Sequence, residues 1–163
     1  MHLSQVFISL AIAGMVAAVP AKAPAPAPAA QKNQIVGLPT KSIRCGARHP
    51  REQTFTAGQI STAAEQALDL VDDGKQLGAQ KYPHRYGYRD PTVKLSSQCK
   101  ASDNLQEFPI MRGKYTGGDV ATVPDRIVIK IQGKNKAVYC GLMTHEGAPA
   151  APGVAGPFTS CSS

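Results

Sequence analysis

No two of the four cysteines, Cys45, Cys99, Cys140 and Cys161, are close neighbours in sequence. The short spacing of a zinc ligand pair is therefore missing. Nor is there an apolar run long enough to cross a membrane comfortably, which takes about 20 residues. The one candidate, Val6–Val19 (VFISLAIAGMVAAV), has the length of a signal-peptide core, and small residues offer cleavage after Ala18 or Ala21. A buried N-terminal helix is the alternative use of such a run. No internal repeat is found. Acidic residues are few, 11 Asp and Glu against 18 Lys and Arg. They are also unevenly placed: Glu52–Asp73 holds five acids and no Lys or Arg, whereas Lys75–Thr144 holds 12 basic residues against 5 acidic ones.

What is present then falls into place. A small secreted chain with four cysteines is expected to form two disulfides, and spacing alone leaves three pairings open. Residues 1–21 read as a signal peptide and 22–40 as an Ala/Pro-rich segment, in which the AKAPAPAPAA of Ala21–Ala30 gives an extended spacer without a core. Residues 41–163 are left as one small domain. Its basic central part suits a polyanionic partner, because Lys and Arg displace counterions from a phosphate backbone and steer its approach.

One helix is clear. Thr56 and Gln59 form a capping box, Ile60, Ala63, Ala64, Ala67, Leu68 and Val71 recur at helical spacing, and Gly74 supplies the stop. Glu65, Asp69 and Asp72 fall on its solvated face. Short strands are expected near Lys81–Tyr86, Glu107–Met111, Asp125–Ile131 and Ala137–Thr144, separated by turn-forming residues. One helix followed by strands predicts an α+β fold, the helix packed on one face of a twisted antiparallel sheet and the other face open to a ligand.

Alternation along Arg126–Ile131 sets Ile127, Ile129 and Ile131 opposite Arg126, Val128 and Lys130, so Arg126 should face away from the helix. By the same rule His145 should share a face with Tyr139, Gly141 and Met143, opposite Val138, Cys140 and Leu142. A carboxylate (Glu107), two imidazoles (His84, His145) and a guanidinium (Arg126) on one sheet face are what in-line transfer at a phosphodiester requires. The unperturbed values, near about 4.3 for a carboxylate and about 6.5 for an imidazole, would leave the base ionised and the acid protonated between them.

Four runs carry a resemblance: YPHRY at Tyr82–Tyr86, EFPI at Glu107–Ile110, PDRIVI at Pro124–Ile129 and CGLMTHEGA at Cys140–Ala148, followed by Phe158 and Cys161. Together, and in this order, they resemble the fungal guanyl-specific extracellular ribonucleases, whose microbial ribonuclease fold is shared by the fungal ribotoxins. The resemblance implies that Glu107 takes the proton from the ribose 2′-hydroxyl and His145 protonates the departing 5′-oxygen, leaving a 2′,3′-cyclic phosphate. His84 would keep Glu107 ionised, Arg126 would stabilise charge on the phosphoryl oxygens, Tyr82 would donate to the phosphate, and Phe158 would line the phosphate pocket. It also implies the disulfides Cys45–Cys161 and Cys99–Cys140.

Base recognition departs from the family pattern. After Tyr86 the chain reads Gly87-Tyr88-Arg89-Asp90, without the family's asparagines. Asp90 is expected to accept from the guanine N1 and N2 hydrogens, with Tyr86 beside the base and Tyr88 stacked on it. The loop Ala148–Pro157 has no polar side chain to add. The expected partner is single-stranded RNA, cut by a secreted monomer that needs no metal or cofactor and, once its signal is removed, no membrane. The alternative is a ribotoxin-like or host-directed effector acting on ribosomal RNA or binding host RNA or protein. The 23 positions from His84 to Glu107 are few for a ribotoxin's long lysine-rich loop, and the full catalytic set favours a general ribonuclease.

Overall fold

The computed structural model describes residues 32–87, 90–148 and 156–162. The signal-peptide reading, its cleavage sites and most of the Ala/Pro-rich segment lie outside these residues. In chain order come strands β1 (Gln34–Val36), β2 (Ile43–Cys45) and β3 (Gln53–Phe55) and helix α1 (Ala57–Asp72). Strands β4 (His84–Arg85), β5 (Leu105–Pro109), β6 (Asp125–Gly133), β7 (Lys136–Thr144) and β8 (Thr159–Ser160) follow, with a 3₁₀ turn at Val120–Thr122. The main sheet runs β1-β7-β6-β5-β4, and β8 adds to β7; β2 and β3 form a separate hairpin.

The α+β architecture is as expected: one helix on a sheet whose pairs are antiparallel except β1–β7. Helix α1 begins where the capping box places it. The Thr56 hydroxyl accepts from the Gln59 amide at 3.3 Å, and the Thr56 amide donates to the Gln59 side chain at 2.9 Å. Gly74, at φ +63°, reverses the chain after the last turn. The buried stripe Ile60, Ala63, Ala64, Ala67 and Leu68 packs on Phe108, Ile127, Ile129 and Leu142 of the sheet. Asp69 and Asp72 do more than face solvent. They accept from the Asn33 side chain and the Asn135 amide, both at 2.6 Å, tying the helix to the chain before β1 and to the β6–β7 turn.

Three expectations change. The segment assigned to residues 22–40 is not all coreless, because Gln34–Val36 pairs in parallel with Lys136–Val138 and Ile35 packs against the core. The strand expected over Lys81–Tyr86 shortens to His84–Arg85, preceded by a cis Tyr82–Pro83 bond and an isolated bridge between Leu77 and Tyr82. The strict alternation assigned to the last long strand also fails. Val128 pairs with Gly141 but Ile129 with Tyr139, so Cys140 is an extra residue, a β-bulge. Tyr139 therefore joins the helix-side core, while Val138 and Cys140 lie with Val128 and Met143 on the other side.

That other side is only partly open. A second core of Tyr86, Val93, Leu105, Val128, Val138 and Met143 forms there with the disulfide Cys99–Cys140. The second bridge, Cys45–Cys161, joins the β2–β3 hairpin to the chain after β8. Both pairings are those the resemblance implied.

Candidate active site

The central strands bring Glu107, Arg126 and His84 onto one face. Glu107 pairs with His84 on one side and Val128 on the other, and Arg126 pairs with Pro109 and Met143. His145 follows directly after β7, its amide bonded to the Pro124 carbonyl at 3.1 Å.

Arg126 is 2% exposed and satisfied on several sides. Its Nε donates to the Tyr82 hydroxyl at 3.1 Å, and its Nη1 donates to the carbonyls of Val123 and Asp125. The guanidinium carbon lies 5.1 Å from the Tyr82 ring centre and 5.9 Å from that of Phe158, near enough for cation–π attraction. A cation so held is fixed before substrate arrives. Tyr82 in turn stacks on His84, ring centres 4.5 Å apart.

Glu107 is 7% exposed. Its Oε1 is 3.5 Å from His84 Nδ1, too far for a hydrogen bond but within ion-pair range, and its Oε2 has no hydrogen-bond partner among the described residues. Burial pushes the carboxyl up from its ordinary 4.5 to about 7, opposed by Arg126 and reinforced by Asp90.

The His145 imidazole moves the other way. Burial lowers it below its ordinary 6.5, although a bond to the Gly156 carbonyl works against this. That carbonyl can only accept, so at 2.6 Å it fixes a hydrogen on Nδ1 and leaves Nε2 to carry the proton that can be given away. The expected order of ionisation, carboxylate below imidazole, is therefore inverted by burial. The form with Glu107 ionised and His145 protonated is a minor one, yet a bell-shaped pH profile still follows, since one proton must be off and one on.

Phe158 stacks on the His145 ring with centres 3.7 Å apart, and its amide donates to Asp90 Oδ1 at 3.0 Å. Asp90 Oδ2 accepts from the Tyr86 hydroxyl at 3.1 Å. Asp90, expected to meet a base, thus already links Tyr86 to the Phe158 segment; an ionised carboxylate has about four lone-pair positions, so acceptor capacity is left. Tyr88 lies outside the described residues. Arg85, Tyr86, Asp90, Glu107, His145 and Phe158 together wall a hollow of about 460 Å³.

Sequence reasoning missed the carbonyls of Val123, Pro124 and Gly156 that orient Arg126 and His145. No side-chain pattern announces a carbonyl. It also missed Asp125, 2% exposed beside Arg126, whose carboxyl burial raises to about 6 against a bond from Thr144. The adjacent Asp and Arg in PDRIVI could have flagged it. Among the described residues, one group of possible metal ligands occurs, Cys45, Asp125 and Cys161, and its two sulfurs are joined in a disulfide.

A carboxylate and an imidazole bordering one hollow, with a fixed cation beside them, can move two protons around a phosphoryl group. A family model described as ribonuclease matches residues 42–162. Guanyl-specific ribonuclease Th1 of Trichoderma harzianum is 34% identical over 100 residues, covering 58% of this chain and 81% of that protein. Guanyl-specific ribonuclease F1 of Fusarium fujikuroi is 32% identical over 95 residues, and the match spans 58% of this chain and 64% of its length. Extracellular guanyl-specific ribonuclease Fl1 of Gibberella baccata is 30% identical over 95 residues, 58% of this chain and 80% of that protein. With nearly the whole described domain matched, the chain belongs to the ribonuclease family that includes the fungal guanyl-specific enzymes.

Proposed function

We propose that this protein is a secreted endoribonuclease that cleaves single-stranded RNA by internal transfer to the ribose 2′-hydroxyl, with guanine, or purines generally, preferred on the 3′-phosphate side. The observation that carries the reading is the shared hollow of Glu107 and His145 with the buried Arg126 guanidinium alongside. Glu107 removes the 2′-hydroxyl proton, the 2′-oxygen attacks phosphorus, and His145 Nε2 protonates the departing 5′-oxygen. Arg126 and the Tyr82 hydroxyl stabilise the charge that builds on the phosphoryl oxygens. His84, stacked on Tyr82, holds the Glu107 carboxylate in place.

The nucleophile belongs to the substrate, so DNA is not cut and no metal-activated water is needed. Guanine preference draws on the names of the relatives and on the acceptor capacity of Asp90, flanked by Tyr86 and Tyr88. Secretion draws on the apolar Val6–Val19 run and on a relative named extracellular.

The test is cleavage of a defined RNA in EDTA by the wild type, Glu107→Gln and His145→Gln, with fragment ends mapped. The wild type should leave 2′,3′-cyclic phosphates concentrated after G, and both variants should be inactive while keeping the fold. A strict metal requirement, or cleavage surviving in either variant, would refute the mechanism; cuts without base preference would remove Asp90 from recognition.

A further inference from the structure

Three hollows adjoin along one side of the molecule. The first contains both Glu107 and His145. The second, about 440 Å³, shares His145 and Gly156 with the first, is lined by Tyr82 and Arg126, and excludes Glu107. Its wall includes Arg51 and Pro124, which also border a third hollow of about 410 Å³ beside Arg112 and Met111. Each of the two outer hollows is of a size that takes small-molecule groups, roughly 300–1,000 Å³.

The reaction assigns a direction to this series. In-line transfer puts the attacking and leaving oxygens on opposite sides of phosphorus. The attacking 2′-oxygen belongs to the upstream nucleotide and faces Glu107; the leaving 5′-oxygen belongs to the downstream nucleotide and faces His145. A hollow that touches the acid and not the base therefore lies on the downstream side.

Arg51 is the cation at its outer wall. Its Nε lies 2.8 Å from Oε2 of Glu146, whose side chain is only 11% exposed, and its Nη1 reaches the Ala121 carbonyl at 3.5 Å. A guanidinium carries five N–H donors, so these two contacts leave others for an anion. The Arg51 side chain is 60% exposed, yet one edge is already anchored, which lowers the ordering cost of binding. Asp119 also lines the second hollow, but its Oδ1 accepts from the Ala121 amide at 2.9 Å, and the balance of Arg51 and Arg126 against it is cationic.

We propose that Arg51 binds the phosphate on the 3′ side of the nucleotide that leaves, so that the preferred substrate is an RNA strand continuing beyond the cut. The inference rests on the ribonuclease reading of the same site. It competes with a purely structural role, because the hairpin carrying Arg51 also packs on the turn after His145: Gly46 lies against Glu146, and His49 against Gly147.

The deciding measurement is kcat/KM on GpA, which has the scissile phosphate alone, and on GpApA, which adds one downstream phosphate, for wild type, Arg51→Gln and Arg51→Lys. Wild type should prefer GpApA by about tenfold, the scale of one charge-assisted contact. Arg51→Gln should lose most of that preference while cutting GpA within about twofold of wild type, and Arg51→Lys should keep part of it. On long single-stranded RNA, Arg51→Gln should also flatten the salt dependence of kcat/KM by about one phosphate contact. Equal losses on both substrates would mean that Arg51 only braces the His145 turn, and no loss on either would mean that no phosphate is bound; both overturn the proposal and leave the ribonuclease reading standing. If wild type cut neither substrate nor long RNA, that reading would fall and this proposal with it.

Discussion

The two faces of strand β6 are buried almost equally and for opposite purposes. Toward the helix, Ile127 and Ile129 are fully buried among apolar neighbours, burial that contributes roughly 1.5–3 kcal/mol each. Toward the site, Arg126 is 2% exposed, with Glu107 at 7% across the next strand, and their burial costs stability unless each charge is met. Arg126 is met by a phenol, two carbonyls and two rings. Glu107 is met only in part, and its raised ionisation records the shortfall. A fold can thus carry a costly face when its partner face stabilises the same strand.

The largest effect that would sharpen this contrast is on rate. Glu107→Gln and His145→Gln should each lower kcat/KM by about 10²–10⁴-fold, the usual worth of a general base or acid, with the melting temperature not reduced. A drop in both rate and stability would mean that these residues serve the fold as well.

The disulfides divide in the same way, Cys45–Cys161 with the helix-side core and Cys99–Cys140 with the core beneath the site. They close loops of 116 and 41 residues, so the chain-entropy relation gives about 5 and about 4 kcal/mol respectively. Serine pairs at each bridge, compared by denaturant unfolding, should rank in that order. A reversed ranking would mean that packing around the Cys99–Cys140 bridge outweighs loop length.

Next comes the apolar face itself. Ile129→Ala should cost about 2–5 kcal/mol in denaturant unfolding and leave kcat of the folded enzyme within about twofold. A collapse of kcat at unchanged stability would reverse the assignment of the two faces.

The smallest effect concerns Glu107 as a burden on stability. Its folded value lies above its ordinary one, so between pH 4.5 and about 7 the native state holds more proton than the unfolded chain, and stability falls as pH rises through that window. Glu107→Gln removes the liability. It should be more stable than wild type by roughly 1–3 kcal/mol above pH 7 and nearly equal to it at pH 4, as two unfolding curves would establish. Equal stability at both pH values would show that His84 and Arg126 fully compensate the carboxylate.

Much of this contrast was legible in the chain. The helix could be read because its signals are local: the Thr56–Gln59 box, the stripe from Ile60 to Leu68 and the Gly74 stop lie within one window. Arg126 could be placed on the site face because β6 alternates regularly. The link from Asp90 to Phe158 could not be read, since the two are 68 positions apart and one partner is an amide. Strand β1 was missed because three residues at a sheet edge, next to an Ala/Pro-rich run, present little pattern. The inverted ionisation of Glu107 and His145 depends on burial, which no spacing records.

The bulge at Cys140 works like a change of reading frame within a strand. Upstream of it, odd-numbered Tyr139 serves the helix-side core; downstream, odd-numbered Met143 serves the other side, and His145 continues that phase. Removing one residue between Tyr139 and Gly141 would restore ideal pairing with β6 and point the acid into the wrong half of the protein. A more regular strand would be a dead enzyme, so the irregular residue belongs to the catalytic inheritance as much as the histidine it aims.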